Sequence, residues 1–339
     1  MSGAVARCGK LGLGALLMST LLLAAALTPV EAQPPGSIWT VRTELLESYS
    51  EIAVGELNGQ IYVIGGYPQT RRYVDTVQVY DSAAGRWSYT TPAPQPLHHT
   101  MTTSVNGKLY LIGGEISADG FANQGFYINT VYEYDPATAV WTQKAPMPTA
   151  RSAGATDVID GKIYVAGGRP PQGSDFAVYD PAADTWRVLP DLPTQRNHLA
   201  AAAIGGKLYV AGGRFGGGVG SEMTDILEIY DPATNTWSRG APLLERRAGL
   251  NGVAARGCFY TFGGEGNDPH PLGIFANNEV YNPVTDSWQS LEPIPVPVHG
   301  VTGAAYVDGW IHLPGGGISR GGNSGATIHQ VFRADVACE

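Results

Sequence analysis

Three arginines, Arg151, Arg196 and Arg247, and one histidine, His299, each stand sixteen residues before a pair of adjacent glycines; Tyr49 and Leu97 hold the same place in two further copies of that spacing. A planar guanidinium grips a carboxylate through two parallel hydrogen bonds, so such a ring on an acidic protein has the chemistry to hold an acidic group. The alternative is structural: these arginines bridge neighbouring elements or cap loop carbonyls. Two residues further along come Glu51, His99, Ala153, His198, Gly249 and Val301, and just after the glycine pairs come Tyr67, Glu115, Arg169, Arg214, Glu265 and Gly317. Arg169 and Arg214 add to the cationic set, while Glu115 or Glu265 as base with His99 or His198 as partner supplies the parts for proton transfer. Taken singly, each of these has an ordinary alternative as a solvated loop charge.

The elements that position these residues are repeats. QIYVIGG, KLYLIGG, KIYVAGG, KLYVAGG, CFYTFGG and WIHLPGG place glycine pairs at Gly65, Gly113, Gly167, Gly212, Gly263 and Gly315, each preceded by a turn dipeptide such as Asn58-Gly59 or Asp160-Gly161. Such dipeptides suit a two-residue type I′ hairpin, which predicts strand A, turn, strand B. Tyr80 and Trp87, Tyr134 and Trp141, Tyr179 and Trp186, Tyr230 and Trp237, and Tyr281 and Trp288 are each seven apart around an Asp-Pro-like turn, which predicts strands C and D. Four antiparallel strands recurring about every 50 residues mark a propeller blade.

Double glycine, then Tyr, six residues and Trp resembles the Kelch motif, over essentially all of residues 38–335. The resemblance implies an all-β, six-bladed Kelch β-propeller. Trp39 lies 26 residues before Gly65, the offset that also separates Trp87, Trp141, Trp186 and Trp237 from the next glycine pair, so it reads as a strand D lacking its own strands A to C. Phe332 stands in the Tyr place of the last repeat. Blade 6 is therefore expected to consist of residues 299–335 completed by residues 38–43, a closure that removes exposed sheet edges.

The distance from glycine pair to Tyr runs 15, 21, 12, 18, 18 and 17 residues, Phe332 standing for Tyr in the last repeat, whereas the A–B and C–D turns are nearly constant. Length variation on one face of a rigid scaffold marks the D–A/B–C loop face as the functional one. In Kelch adaptors of ubiquitin ligases, arginines in this register grip acidic peptide groups, and the resemblance implies the same for Arg151, Arg196 and Arg247. It is also similar in architecture to exported Kelch sialic-acid epimerases, which act on a carboxylated sugar. Three function classes follow: a binder of an acidic small molecule, glycan or peptide group; a sugar epimerase or mutarotase; and a protein–protein scaffold.

No cofactor is expected. Glu265, Asp268 and His270 in GEGNDPH offer metal-ligand atoms, as an iron loop of plant Kelch specifier proteins does, but at a different spacing, and no metal is expected. A copper radical oxidase needs a Cys near a Tyr, and Cys258 at the start of strand B lies on the face opposite the loops. His98-His99 reads as a channel-edge pair. The runs FGGGVG and GGGISRGGNSG contain no strand-to-helix phosphate loop.

Arg7 and Lys10, the apolar run 11–27 and Val30-Glu31-Ala32 form a secretory signal over residues 1–32, with cleavage expected after Ala32 and one domain over 33–339. The expected location is periplasmic or extracellular, with no membrane span in the mature protein. Cleavage takes Lys+Arg from 21 to 19 and Asp+Glu from 30 to 29, so the net charge moves from −9 to −10. That balance argues against nucleic acid or an anionic membrane as partner. A monomer is expected. Cys258 and Cys338 remain, as one staple across the last two blades or as two thiols; export permits the former.

Overall fold

The computed structural model describes Met1, Gly3 and residues 38–120, 125–300, 303–322 and 324–338. The chain divides into two units, Met1–Pro35 and Gly36–Glu339, and the second is a propeller. Apart from Met1 and Gly3, the expected signal segment lies outside the described residues. The described residues form six four-stranded antiparallel sheets, five of them running A, B, C, D in chain order. The six-bladed Kelch-type architecture is as expected. All six A–B dipeptides have positive φ at both residues, Arg256 (50°) and Gly257 (75°) included, as the type I′ turn requires.

The sixth sheet closes the ring. Its strand D, Trp39–Val41, pairs with strand C, His329–Arg333, and sets Trp39 opposite Phe332, the register in which Trp87 faces Tyr80. Every blade Trp donates its indole N–H to a carbonyl four residues beyond the preceding blade's Trp: Trp87 to Thr43 at 2.9 Å, Trp186 to Ala145 at 2.8 Å, Trp288 to Ala241 at 2.8 Å. Trp39 obeys the same rule, donating to Glu292 at 3.0 Å.

The glycine pairs clasp blade to blade. The second glycine's N–H donates to the residue entering the next blade, as Gly66 does to Leu97 (2.9 Å) and Gly114 to Arg151 (2.8 Å). The same carbonyl would lie 2.5 Å from a Cβ on Gly65 or Gly113, and both residues have positive φ, so only glycine allows the approach. The hydrophobic core is correspondingly split into layers between adjacent blades. One holds Leu57, Tyr62, Leu109 and Tyr134 between blades 1 and 2; another holds Trp39, Tyr260, Phe262 and Phe332 between blades 5 and 6.

Cys258 and Cys338 form a disulfide that ties strand B of blade 5 to the segment following blade 6, 80 residues on. Closing a loop of that length stabilises a protein by roughly 4 kcal/mol in the chain-entropy account. Cys338→Ser is therefore expected to lower the unfolding free energy by about that amount, read as a lower urea midpoint with an m-value no smaller than the wild type's, since the uncrosslinked unfolded chain is less compact. Intact mass with and without reductant checks the bond; an equal midpoint in the variant would refute its stabilising role.

Candidate functional site

Where each blade's innermost strand begins, Glu51, His99, Ala153, His198 and Gly249 all adopt left-handed backbone, with φ between 50° and 61°. This conformation lets each residue donate its N–H to the carbonyl of its counterpart in the previous blade: His99 to Glu51 (3.2 Å), Ala153 to His99 (2.9 Å), His198 to Ala153 (2.8 Å) and Gly249 to His198 (2.8 Å). The result is a belt of hydrogen bonds at the loop-face end of the channel. Ala153 and Gly249 contribute almost no side chain to it, which leaves the axis to Glu51, His99 and His198.

Those three side chains meet although they come from blades 1, 2 and 4. His99 Nε2 lies 3.2 Å from Glu51 Oε2 and 3.1 Å from His198 Nε2. Arg169 donates to His99 Nε2 at 2.9 Å, and Arg214 donates to His198 Nε2 at 2.8 Å. Arg214 also pairs with Glu265, whose other oxygen accepts from the Gly321 N–H at 3.0 Å. Arg169 approaches Glu115 at 3.5 Å; Glu115 in turn accepts from Tyr73 (3.4 Å) and lies 3.7 Å from His98 Nε2. His98 and His99 touch through their Nδ1 atoms.

Electrostatics follow from burial. Desolvation, reinforced by the adjacent guanidinium, holds His99 and His198 well below the usual imidazole range, so both are neutral. Desolvation raises Glu51. Burial pushes Glu115 and Glu265 the same way, but His98 and Arg169 around Glu115, and His299 and Arg214 around Glu265, win and hold both carboxylates below their ordinary value. The cluster thus carries ionised Glu115 and Glu265 beside two guanidiniums, with neutral imidazoles between them.

The sequence-derived residues separate into two groups. His99, His198, Glu115, Glu265, Arg169 and Arg214 converge on the axis as described, with His299 nearby, its Nε2 2.9 Å from the Ser319 carbonyl. Arg151, Arg196 and Arg247 do not join them: each is fully buried within its own blade. Arg196 donates to the carbonyls of Gly212 (2.9 Å), Val210 (3.0 Å) and Thr194 (2.9 Å) and pairs with Glu228 at 2.5 Å. Arg247 donates to Gly263 (2.7 Å) and Thr261 (2.9 Å) and pairs with Glu279 at 2.9 Å. Arg151 donates to the carbonyls of Asp175 (2.7 Å) and Val165 (3.2 Å), and burial pushes it down to about 10. The ring expected to face a ligand is instead the brace of blades 3, 4 and 5, because its register puts these side chains beneath the glycine pair.

Nor do Glu265, Asp268 and His270 converge: Asp268 pairs with Arg320 at 2.6 Å, and His270 Nδ1 accepts from the Leu272 N–H at 3.2 Å. Tyr73, Asn197 and Arg320 belong to the site or its rim and were not singled out by the sequence, and His98 was read there only as half of a channel-edge pair. Tyr73 and Arg320 sit on B–C loops of unequal length, where no repeat register locates a residue. Asn197 and His98 directly precede the histidines of the axis, which was the available signal.

The geometry agrees with the comparisons. The KLHDC2/KLHL20/DRC7 Kelch-repeats domain matches residues 39–213 and 146–316. Kelch-like protein terF of Aspergillus terreus is 30% identical over 304 residues, covering 84% of this chain and 63% of that protein. Beta-scruin of Limulus polyphemus is 26% identical over 265 residues, covering 78% of this chain and 24% of that protein. The chain therefore spans less than two thirds of the length of these relatives. Among solved structures, that of YjhT superposes with a TM-score of 0.70 at 16% identity, covering 87% of this chain and 100% of that one, a likeness of fold. Six glycine pairs, five of them clasped to the next blade, six periodic tryptophans and these matches together place the chain in the Kelch-repeat family of β-propellers.

Proposed function

We propose that the chain is an exported propeller that binds an acidic group, carried by a small molecule, glycan or peptide, at its loop face through Arg169 and Arg214. The observation that carries this reading is Arg169. Its side chain is 19% exposed, and its carboxylate contact among the described residues is long at 3.5 Å. A carboxylate arriving from solution meets the exposed part of this guanidinium without breaking a tight ion pair. Export is supported by the disulfide, since such bonds persist in oxidising compartments. The expected mature N-terminus is Gln33, read by mass spectrometry of the secreted product.

Saturation-transfer NMR with N-acetylneuraminic acid, galacturonic acid and a Glu/Asp-rich peptide tests the site. Binding is expected to fall at least tenfold in Arg169→Ala and to persist in Arg246→Ala, whose side chain is 62% exposed at the surface. Unchanged binding in Arg169→Ala sinks the reading. A second reading, an isomerase of a carboxylated sugar, draws on ionised Glu115 beside neutral His98. Its sign would be anomer interconversion by the wild type that is lost in Glu115→Gln. Binding to a protein partner abolished by deletions in the rim loops, with no effect of Arg169→Ala, would favour the scaffold.

A further inference from the structure

Glu51 Oε2, His99 Nε2 and His198 Nε2 are three acceptor atoms, from three blades, turned toward one another on the propeller axis. The tautomer of His198 is fixed by its neighbours. Asn197 Nδ2 donates to the carbonyls of Arg214 (3.1 Å) and Gly216 (3.0 Å), so Asn197 Oδ1 must be the atom 2.5 Å from His198 Nδ1. The ring proton therefore sits on Nδ1, and Nε2 presents its lone pair to the axis. His99 Nε2, 3.1 Å away, accepts from Arg169 and so presents a lone pair as well. Two imidazole lone pairs at that separation repel unless a cation lies between or beside them. Glu51 Oε2, at 3.2 Å from His99, is buried and has no hydrogen-bond partner.

These separations have a metric meaning. Ligand atoms bound at about 2.0–2.1 Å to a tetrahedral ion lie about 3.3 Å apart, close to the 3.1 and 3.2 Å seen here. The Asn197–His198 contact is the arrangement that orients an imidazole toward a metal. We propose that Glu51, His99 and His198 form a binding site for a divalent transition-metal ion of the zinc type. Two imidazoles and one carboxylate leave at least one coordination position open.

Arg169 and Arg214 supply the positive charge at the two imidazole nitrogens in this structure. Each holds a carboxylate of its own, Glu115 and Glu265, so each remains neutralised when its contact to histidine is given up for an ion. Their N–H groups then border the open position, where an anion bound to the ion would meet them. The site stands on residues other than those that carry the acid-binding reading, and either can fail alone.

The full-length chain, freed of metal with a chelator, is titrated with Zn²⁺ by calorimetry and with Co²⁺ by visible absorption. One equivalent is expected, with the strong ligand-field bands of a low-coordinate cobalt site. His198→Asn, chosen because Asn tolerates left-handed backbone, and Glu51→Gln are expected to weaken binding by more than a hundredfold. Asn197→Ala, which frees the His198 ring, is expected to weaken it about 10–100-fold. On the wild type, Zn²⁺ should shift the side-chain ¹H–¹⁵N signals of His99 and His198 and leave those of His270 and His312 in place, a readout that holds even if a variant fails to fold. No stoichiometric binding, or binding that survives His198→Asn and is lost in His270→Ala, overturns the proposal.

Discussion

A chain starting at Glu44 is expected to lose cooperative folding, whereas one starting at Ile38 should melt like the full propeller. The segment between them is the strand Trp39–Val41, which pairs with blade 6 along its whole length. Its removal leaves strand His329–Arg333 as an unpaired edge and strips the layer between blades 5 and 6 of Trp39. That residue is 1% exposed and packs against Phe262 (6.0 Å between ring centroids) and Phe332 (4.9 Å). The point variant isolates this contact. Trp39→Ala should cost ~3–5 kcal/mol, the range for emptying a buried large aromatic site, and it leaves the Glu292 carbonyl with Asn278 Nδ2 as its donor. Urea unfolding followed by circular dichroism measures both. If the chain starting at Glu44 kept the wild-type midpoint and slope, the ring would not depend on this strand.

This closure was readable from the sequence because every part of it is periodic. Trp39 keeps the 26-residue offset, Phe332 keeps the Tyr place, and register carries a periodic residue to the same spot in each blade. The site is legible only as far as that periodicity reaches. Glu51, His99 and His198 were aligned by register, and the structure shows why that register matters: the belt of left-handed residues points it at the axis. Which of the six positions meet there was not legible, since it depends on Ala153 and Gly249 leaving room. The B–C loops lie beyond the reach of register altogether. The hairpin extension of blade 2, with strands Lys108–Ser117 and Gly125–Asp135, runs on through Glu115 past the glycine pair in a way its 21-residue spacing does not disclose.

The braces of blades 4 and 5 were also misjudged by spacing, yet the sequence holds a clue to them. Two residues before the blade Tyr stand Gln78, Tyr132, Ala177, Glu228, Glu279 and Gln330. Glu occurs there only in the blades that enter with Arg196 and Arg247, and Gln occurs where Tyr49 and His299 enter. In those blades Gln78 accepts from the Leu46 N–H and Gln330 from the Val296 N–H, both at 2.8 Å, fastening the incoming chain without a charge. Glutamate thus occurs only beside an entering arginine, as a structural brace requires, while Arg151, with Ala177 in the glutamate place, is braced by the carbonyls of Val165 and Asp175.

Arg247→Ala is accordingly expected to destabilise the propeller by ~3–5 kcal/mol, because it leaves Glu279 buried without its cation. Both side chains are at most 1% exposed, so no solvent takes the place of the lost partner. Replacing both, as in Arg247→Met with Glu279→Leu, removes the uncompensated charge and should recover most of that loss, though the carbonyl of Gly263 loses its donor. Chemical denaturation of the two single variants and the double variant gives the coupling energy directly. The same double variant separates brace from ligand site: it should keep wild-type binding of carboxylated probes, which Arg169→Ala should not. A double variant as stable as the wild type but unable to bind would return Arg247 to the ligand, and the burial of its guanidinium would then have to open in solution.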